Sequence, residues 1–227
     1  MISKLKQHYR NPTFLYLESY LLFIGLPMVA WYAGMRLPMF ITLWCLSVLC
    51  MVYIHLAEGT TFRQEWNWGA VNRQNLRIIL LRFAILGPLL AAISYLLIPE
   101  RFFAFPRERT PMWCMVMALY PILSAFPQEI LYRSYFFHRF KSVHGKKVWR
   151  TLVVNGMIFG FVHIVLKNEV AVILSAIGGV MFAHTYYKTR SLALVTLEHA
   201  LYGNWIFTVG LGWYFYGIAW GHAPVTH

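Results

Sequence analysis

The fold is decided by residues 76–98, which read Leu-Arg-Ile-Ile-Leu-Leu-Arg-Phe-Ala-Ile-Leu-Gly-Pro-Leu-Leu-Ala-Ala-Ile-Ser-Tyr-Leu-Leu-Ile. A helix of about 20 predominantly apolar residues is long enough to cross the hydrocarbon core of a bilayer. This stretch has that length, and its only charged side chains are Arg77 and Arg82. Because lipid offers no water to backbone polar groups, a helix is the expected structure. The stretch therefore predicts a membrane-spanning helix.

Comparable apolar runs recur along the whole chain. They predict spans at residues 14–33, 39–56, 76–98, 112–140, 151–166, 170–187 and 192–209, with a short eighth at 211–219. The composition agrees, since 59% of the 227 residues are apolar, 12% are charged and the mean hydropathy is +0.54. We therefore expect an all-α fold, a polytopic transmembrane helical bundle of about seven to eight helices. Residues 1–227 would form a single integral membrane domain.

The net charge of +12 is explained by membrane topology. Lysines and arginines stand at the ends of apolar runs, and most fall on one side if the amino terminus is cytoplasmic. The sequence thus predicts a multi-pass protein of the inner (plasma) membrane whose partners are membrane lipids. The basic residues do not form a continuous stripe, so the charge does not predict nucleic-acid binding. The three cysteines, Cys45, Cys50 and Cys114, lie in apolar runs without CxxC spacing and predict neither a disulfide nor a zinc site.

Polar side chains at membrane depth are candidate functional residues, because an ionisable group there is costly unless it meets a partner or water. Glu129 and Arg133 are four residues apart, so they would share one helix face and pair. Glu129, His163 and His199 would lie roughly 17, 18 and 11 Å from the inner ends of their spans at the helical rise. The full set is Gln128, Glu129 and Arg133 in the fourth span, His163 in the fifth, and Glu198, His199 and Asn204 in the seventh.

Two chemistries fit this set. Glu129 and His163 could take a proton from water while His199 and Asn204 donate hydrogen bonds to the oxyanion of a tetrahedral intermediate. Alternatively Glu129, His163 and His199 could hold a divalent metal such as zinc. No HExxH motif selects the metal.

These motifs resemble those of the CAAX protease and bacteriocin-processing family of intramembrane proteases, also called the ABI family. Its first motif is a glutamate pair followed four residues later by arginine, and Gln128-Glu129-Ile-Leu-Tyr-Arg133 corresponds to it. Its second motif, Phe-xxx-His, matches residues 159–163. Its third, His followed by Asn, matches His199 and Asn204. The resemblance covers residues 112–209, which would be the protease-like core.

The resemblance implies an intramembrane endopeptidase that cleaves a hydrophobic or membrane-bound peptide or protein. The implied roles are water activation by Glu129 and His163, orientation of the carboxylate by Arg133, and oxyanion stabilisation by His199 with Asn204. Gln128 occupies the position of the family's first glutamate, and Asn204 stands five residues after His199 where the family usually has four.

Two other functions remain open from the sequence. Gln128 favours a catalytically inactive relative that binds a membrane partner or peptide through the same site. Buried Glu, Arg and His also occur in proton or ion paths. However, the polar residues concentrate in the carboxyl-terminal half, and no inverted repeat supports a transporter.

Overall fold

A computed structural model describes residues 11–33, 39–144 and 147–216, and within these ranges the protein is helical with no strand. Among the described residues, six helices are long and apolar enough to cross a membrane: Pro12–Tyr32, Phe40–Glu58, Arg73–Leu97, Thr110–Arg139, Val148–Leu166 and Glu169–Thr189. The helices are α1 (Pro12–Tyr32), α2 (Met39–Glu58), α3 (Phe62–Trp66), α4 (Arg73–Leu97), α5 (Ala104–Glu108), α6 (Thr110–Arg139), α7 (Lys141–His144), α8 (Val148–Leu166), α9 (Glu169–Thr189), α10 (Leu192–Val209) and α11 (Trp213–Tyr216).

The predicted all-α polytopic bundle is confirmed. Helix α10 has 18 residues and lies inside the bundle, packed against α4, α6 and α9. For the predicted eighth span, the described part is the four-residue α11, and residues 217–219 lie outside the described ranges. Residues 1–10 also lie outside them, and the cytoplasmic amino terminus stays a prediction.

Short polar side chains set where the helices begin. Asn72, Asn168 and Ser191 each accept a hydrogen bond from a backbone N–H three residues later, at the starts of α4, α9 and α10. These caps satisfy N–H groups that have no partner inside the helix. At the other end of α10, Gly210 has a φ of 106°, a conformation that favours glycine. The chain therefore turns sharply between these helices.

Helices α8 and α9 pack with their backbones almost in contact. A Cβ atom at Gly156 would lie 2.6 Å from the backbone nitrogen of Val180, and one at Gly160 would lie 2.8 Å from the carbonyl oxygen of Val172. Small residues spaced four apart permit this approach. The close pair holds the end of α8, where His163 lies, against the rest of the bundle.

Helix α6 continues through Pro121 and Pro127 by widening its turns. Residues 121–125 and 130–135 are π-helical, and such turns often mark functional sites. The carbonyl of Pro127 accepts from Ser47 Oγ at 2.9 Å. Asn155 Nδ2 donates to the carbonyl of Tyr132 at 2.6 Å. Side chains from α2 and α8 thereby hold the irregular part of α6.

Helix α3, in the polar stretch between α2 and α4, joins the bundle through the carboxylate of Glu65. It accepts hydrogen bonds from Ser134 and from Tyr186 at 2.7 Å, and it lies 2.8 Å from His138 Nε2. Burial raises the pKa of Glu65, but the hydrogen bonds from these three side chains outweigh burial and lower its pKa overall. The ionised carboxylate thus fastens this connection to α6 and α9.

Candidate active site

The structure brings Arg133 and His199 into contact with Glu129 in the buried interior of the bundle. Glu129 Oε1 lies 2.7 Å from His199 Nδ1, and Glu129 Oε2 lies 3.2 Å from Arg133 Nε. Glu129 and Arg133 are fully buried, and His199 is 5% exposed. The contact with Arg133 is an ion pair without hydrogen-bond geometry, since neither Oε2 nor Nε has a hydrogen-bond partner among the described residues. Glu129 Oε2 therefore retains acceptor capacity.

Arg133 is enclosed by aromatic rings and one backbone carbonyl. Its guanidinium carbon lies 4.6 Å from the ring centroid of Phe159 and 5.7 Å from that of Phe182. Its Nη2 donates to the carbonyl of Gly179 at 3.4 Å. Cation–π contacts and the neighbouring carboxylate offset the cost of burying this charge. The arginine is consequently held in place beside Glu129.

Tyr120 completes the contacts of His199, although sequence analysis did not single it out. Its hydroxyl lies 2.9 Å from His199 Nε2, so both imidazole nitrogens have a partner. Gly203 makes this approach possible, because a Cβ there would lie 2.1 Å from Cε1 of the Tyr120 ring. Tyr120 stands in an apolar run before a proline, where nothing in the sequence distinguishes it from a lipid-facing tyrosine.

His163 lies beside this group without a hydrogen bond to Glu129 among the described residues. Its Nδ1 is 2.7 Å from the carbonyl of Phe159, four residues earlier. The Phe159 ring contacts both histidines, with centroids 5.0 Å from His163 and 5.6 Å from His199. A carbonyl can only accept, so Nδ1 carries the proton and the neutral ring presents a lone pair at Nε2. His163 is half-buried and is the more accessible histidine.

Gln128 and Asn204 point to partners outside this group. Gln128 Nε2 donates to Ser124 Oγ at 2.8 Å. Asn204 Nδ2 donates to the carbonyl of Met117 at 3.1 Å, and its Oδ1 is buried without a hydrogen-bond partner. Because α10 is a regular α-helix here, five residues rotate Asn204 about 140° around the axis from His199. The predicted oxyanion role of Asn204 stays a prediction.

Glu198 faces away from its neighbour His199 and pairs with Arg82 of α4. The two side chains meet at 2.9 Å, with Glu198 fully buried. Arg82 is the one charged residue in the apolar run 78–98. An isolated charge at this depth indicates a buried partner of opposite charge. The adjacent residues Glu198 and His199 of α10 thus belong to two separate polar clusters.

The zinc alternative does not fit this arrangement. A histidine binds a metal through a ring lone pair, and both nitrogens of His199 already face protein partners, Glu129 and Tyr120. In the part of the chain that the structure describes, no three His, Cys, Asp or Glu side chains form a group suited to a metal ion. A zinc triad of Glu129, His163 and His199 would require these contacts to rearrange.

Comparison with known proteins identifies the segment that carries the site. The family model "Type II CAAX prenyl endopeptidase Rce1-like" matches residues 109–206. The matched residues form the Rce1-like segment. The resemblance to CAAX-type intramembrane proteases is therefore confirmed. The Rce1-like segment begins just before α6 and ends within α10, and it includes Tyr120 and all the predicted site residues. No curated protein and no solved structure matches the chain.

Proposed function

We propose that this protein is an intramembrane endopeptidase that cleaves a membrane-bound or hydrophobic peptide substrate. The observation that carries the proposal is the buried contact of Glu129 with both Arg133 and His199 inside an Rce1-like segment. A structural ion pair would need only one partner for the carboxylate. The second contact, from an imidazole whose other nitrogen meets a tyrosine hydroxyl, makes a chain of groups able to pass protons.

Water is activated by His163 and Glu129. Two acceptors are available for this step: the Nε2 lone pair of His163, and Glu129 Oε2, which is ion-paired with Arg133 but accepts no hydrogen bond from the described residues. One of them takes a proton from water, and the resulting hydroxide attacks the carbonyl carbon of the scissile amide. Arg133 pairs with the carboxylate of Glu129 and fixes its orientation. Water arrives from the side of His163, the half-buried member of the group.

The tetrahedral intermediate is stabilised by His199 together with Tyr120. When Glu129 shares the proton taken from water with His199 Nδ1, His199 Nε2–H donates to the Tyr120 oxygen, and the phenolic O–H turns to the oxyanion. The proton removed from water is then given to the leaving nitrogen as the C–N bond breaks. Asn204 donates to the carbonyl of Met117, one turn before Tyr120, and so supports the segment that carries this tyrosine.

The test uses purified protein in lipid vesicles with a prenylated CAAX peptide, the substrate class in the name of the matched family. We expect Glu129→Gln to lower the rate about 10²–10⁴-fold, as for loss of a general base. We expect Tyr120→Phe to lower kcat about 10²-fold or more, as for loss of one oxyanion donor. Gln128→Ala is the matched control, since the Gln128 side chain hydrogen-bonds only to Ser124 among the described residues, and the variant should retain activity.

Folding is checked by thermal unfolding of each variant. Full activity of a folded Glu129→Gln variant would refute the assignment of the base. If the wild-type protein binds the prenylated peptide but does not cleave it, the chain is an inactive relative that binds a membrane partner. That alternative is favoured by Gln128 at the position of the family's first glutamate.

A further inference from the structure

A second group of polar side chains lies between α4 and α9, apart from the Glu129 site. Arg82 donates from Nη1 to Glu198 Oε1 at 2.9 Å and to Thr185 Oγ1 at 3.0 Å, and its Nη2 lies 3.2 Å from His184 Nδ1. A guanidinium has five N–H donors, so these contacts leave donors available. The Arg82 side chain is 26% exposed. Its outer part therefore reaches the protein surface.

The accessible charge at this surface is positive. Lys188 follows His184 by one helical turn, and both Lys188 and Arg82 act electrostatically on that histidine. Lys188 is exposed and has no hydrogen bond or ion pair with any residue that the structure describes. The acid of the cluster, Glu198, is fully buried behind Arg82. One positive charge is thus left over at the surface, presented by an arginine fork and a free lysine.

The same surface is apolar on the side away from Lys188. Ile85 follows Arg82 by three residues on one face of α4 and is 71% exposed. Ile177 precedes His184 by two turns on one face of α9 and is 64% exposed. Lys188 is next to the last residue of α9, so it stands at the end of the span, whereas the two isoleucines face the hydrocarbon. The surface changes from cationic to apolar along the membrane normal.

We propose that this surface, formed by α4 and α9, binds the phosphate headgroup of an anionic phospholipid, with Arg82 and Lys188 as its donors. Arginine and lysine are the side chains that pair best with phosphate. The excess of one positive charge favours a lipid with net negative charge over a zwitterionic lipid. The acyl chains pack on the exposed isoleucines below. This site is independent of the proposed peptidase reaction.

The test measures lipid binding to delipidated full-length protein by native mass spectrometry, with phosphatidylglycerol and phosphatidylcholine as probes. Lys188→Gln should weaken phosphatidylglycerol binding about fivefold, since one lysine near an anionic surface contributes about 1 kcal/mol, and it should leave phosphatidylcholine unchanged. Lys167→Gln is the matched control. It removes the same charge roughly 31 Å away, at the other end of α9, judged from the helical rise.

A second variant, Arg82→Lys, keeps the positive charge opposite Glu198 but removes the forked guanidinium group. Combined with Lys188→Gln, it should weaken phosphatidylglycerol binding further than Lys188→Gln alone. Equal binding of both lipids to the wild-type protein would overturn the proposal. So would equal losses in the Lys188 and Lys167 variants. Inorganic phosphate at millimolar concentration should not displace the lipid, because it lacks chains; displacement would show a site for a soluble anion instead. Displacement by a prenylated peptide, without any preference for phosphatidylglycerol, would assign this surface to substrate binding and overturn the proposal.

Discussion

Replacing Gly203 by alanine places a methyl group inside the space now filled by the Tyr120 ring. The new Cβ would lie 2.1 Å from Cε1 and 2.4 Å from both Cζ and the hydroxyl oxygen of that ring. Since non-bonded carbons prefer separations of about 3.5–4.0 Å, the ring must retreat by more than about 1 Å. Such a shift breaks the 2.9 Å contact between the Tyr120 hydroxyl and His199.

The expected change in the free energy of unfolding for Gly203→Ala follows from three effects. Overpacking a well-packed site costs about 1–3 kcal/mol, and the lost hydrogen bond costs about 1 kcal/mol. Alanine is better than glycine inside a helix by about 1 kcal/mol. The net loss in the free energy of unfolding should therefore be about 1–3 kcal/mol. It should be accompanied by a fall in peptidase activity similar to that of Tyr120→Phe.

The matched control is Gly178→Ala in α9, where the added Cβ would lie 3.4 Å from Cε2 of Phe182, an ordinary contact. This variant should be neutral or slightly more stable because of helix propensity. Unfolding is followed by tryptophan fluorescence and thermal denaturation in detergent micelles. In a Tyr120→Ala background, Gly203→Ala should carry no further cost, which gives a coupling energy of about 1–3 kcal/mol. Equal stability of the Gly203→Ala and wild-type proteins, or additive effects of the two substitutions, would refute the packing argument.

Three further substitutions test other parts of the structure. The pKa of Glu65 is lowered in the folded protein, so the ionised carboxylate stabilises the fold above its unfolded pKa of about 4.3. This stability is lost as the pH falls through the folded pKa, and unfolding measured across an acid titration should show the loss. Glu65→Gln should make this pH dependence smaller. Gly156→Ala should lower stability by about 1–3 kcal/mol or more, because its Cβ would meet the backbone of Val180, which cannot move aside as a flexible side chain does; unchanged melting would contradict the packing of α8 on α9. Trp205→Phe removes the 2.8 Å hydrogen bond from Nε1 to the carbonyl of Gly87 and should cost about 1 kcal/mol in chemical denaturation.

The sequence by itself determined the approximate limits of the long helices. Chain length, apolar runs and bilayer thickness are linked by simple geometry, and the observed helix ends differ from the predicted ones by only a few residues. The pairing of Glu129 with Arg133 was also predictable, because residues four apart on one helix are neighbours whatever surrounds them. The motif order indicated the resemblance to CAAX-type proteases for the same reason, since it depends only on residue type and spacing.

Tertiary structure alone decided which side chains meet across helices. A span that is apolar all round has no preferred face, so the sequence does not fix its rotation about its own axis. That rotation sets His199 against Glu129, turns Glu198 towards Arg82 and leaves Asn204 bonded to Met117.

The contact of Tyr120 with His199 depends on a single glycine that admits the ring, which is a matter of packing distance and not of pattern. Local spacing is fixed by helical geometry, whereas the constellation of the site follows from how the helices pack.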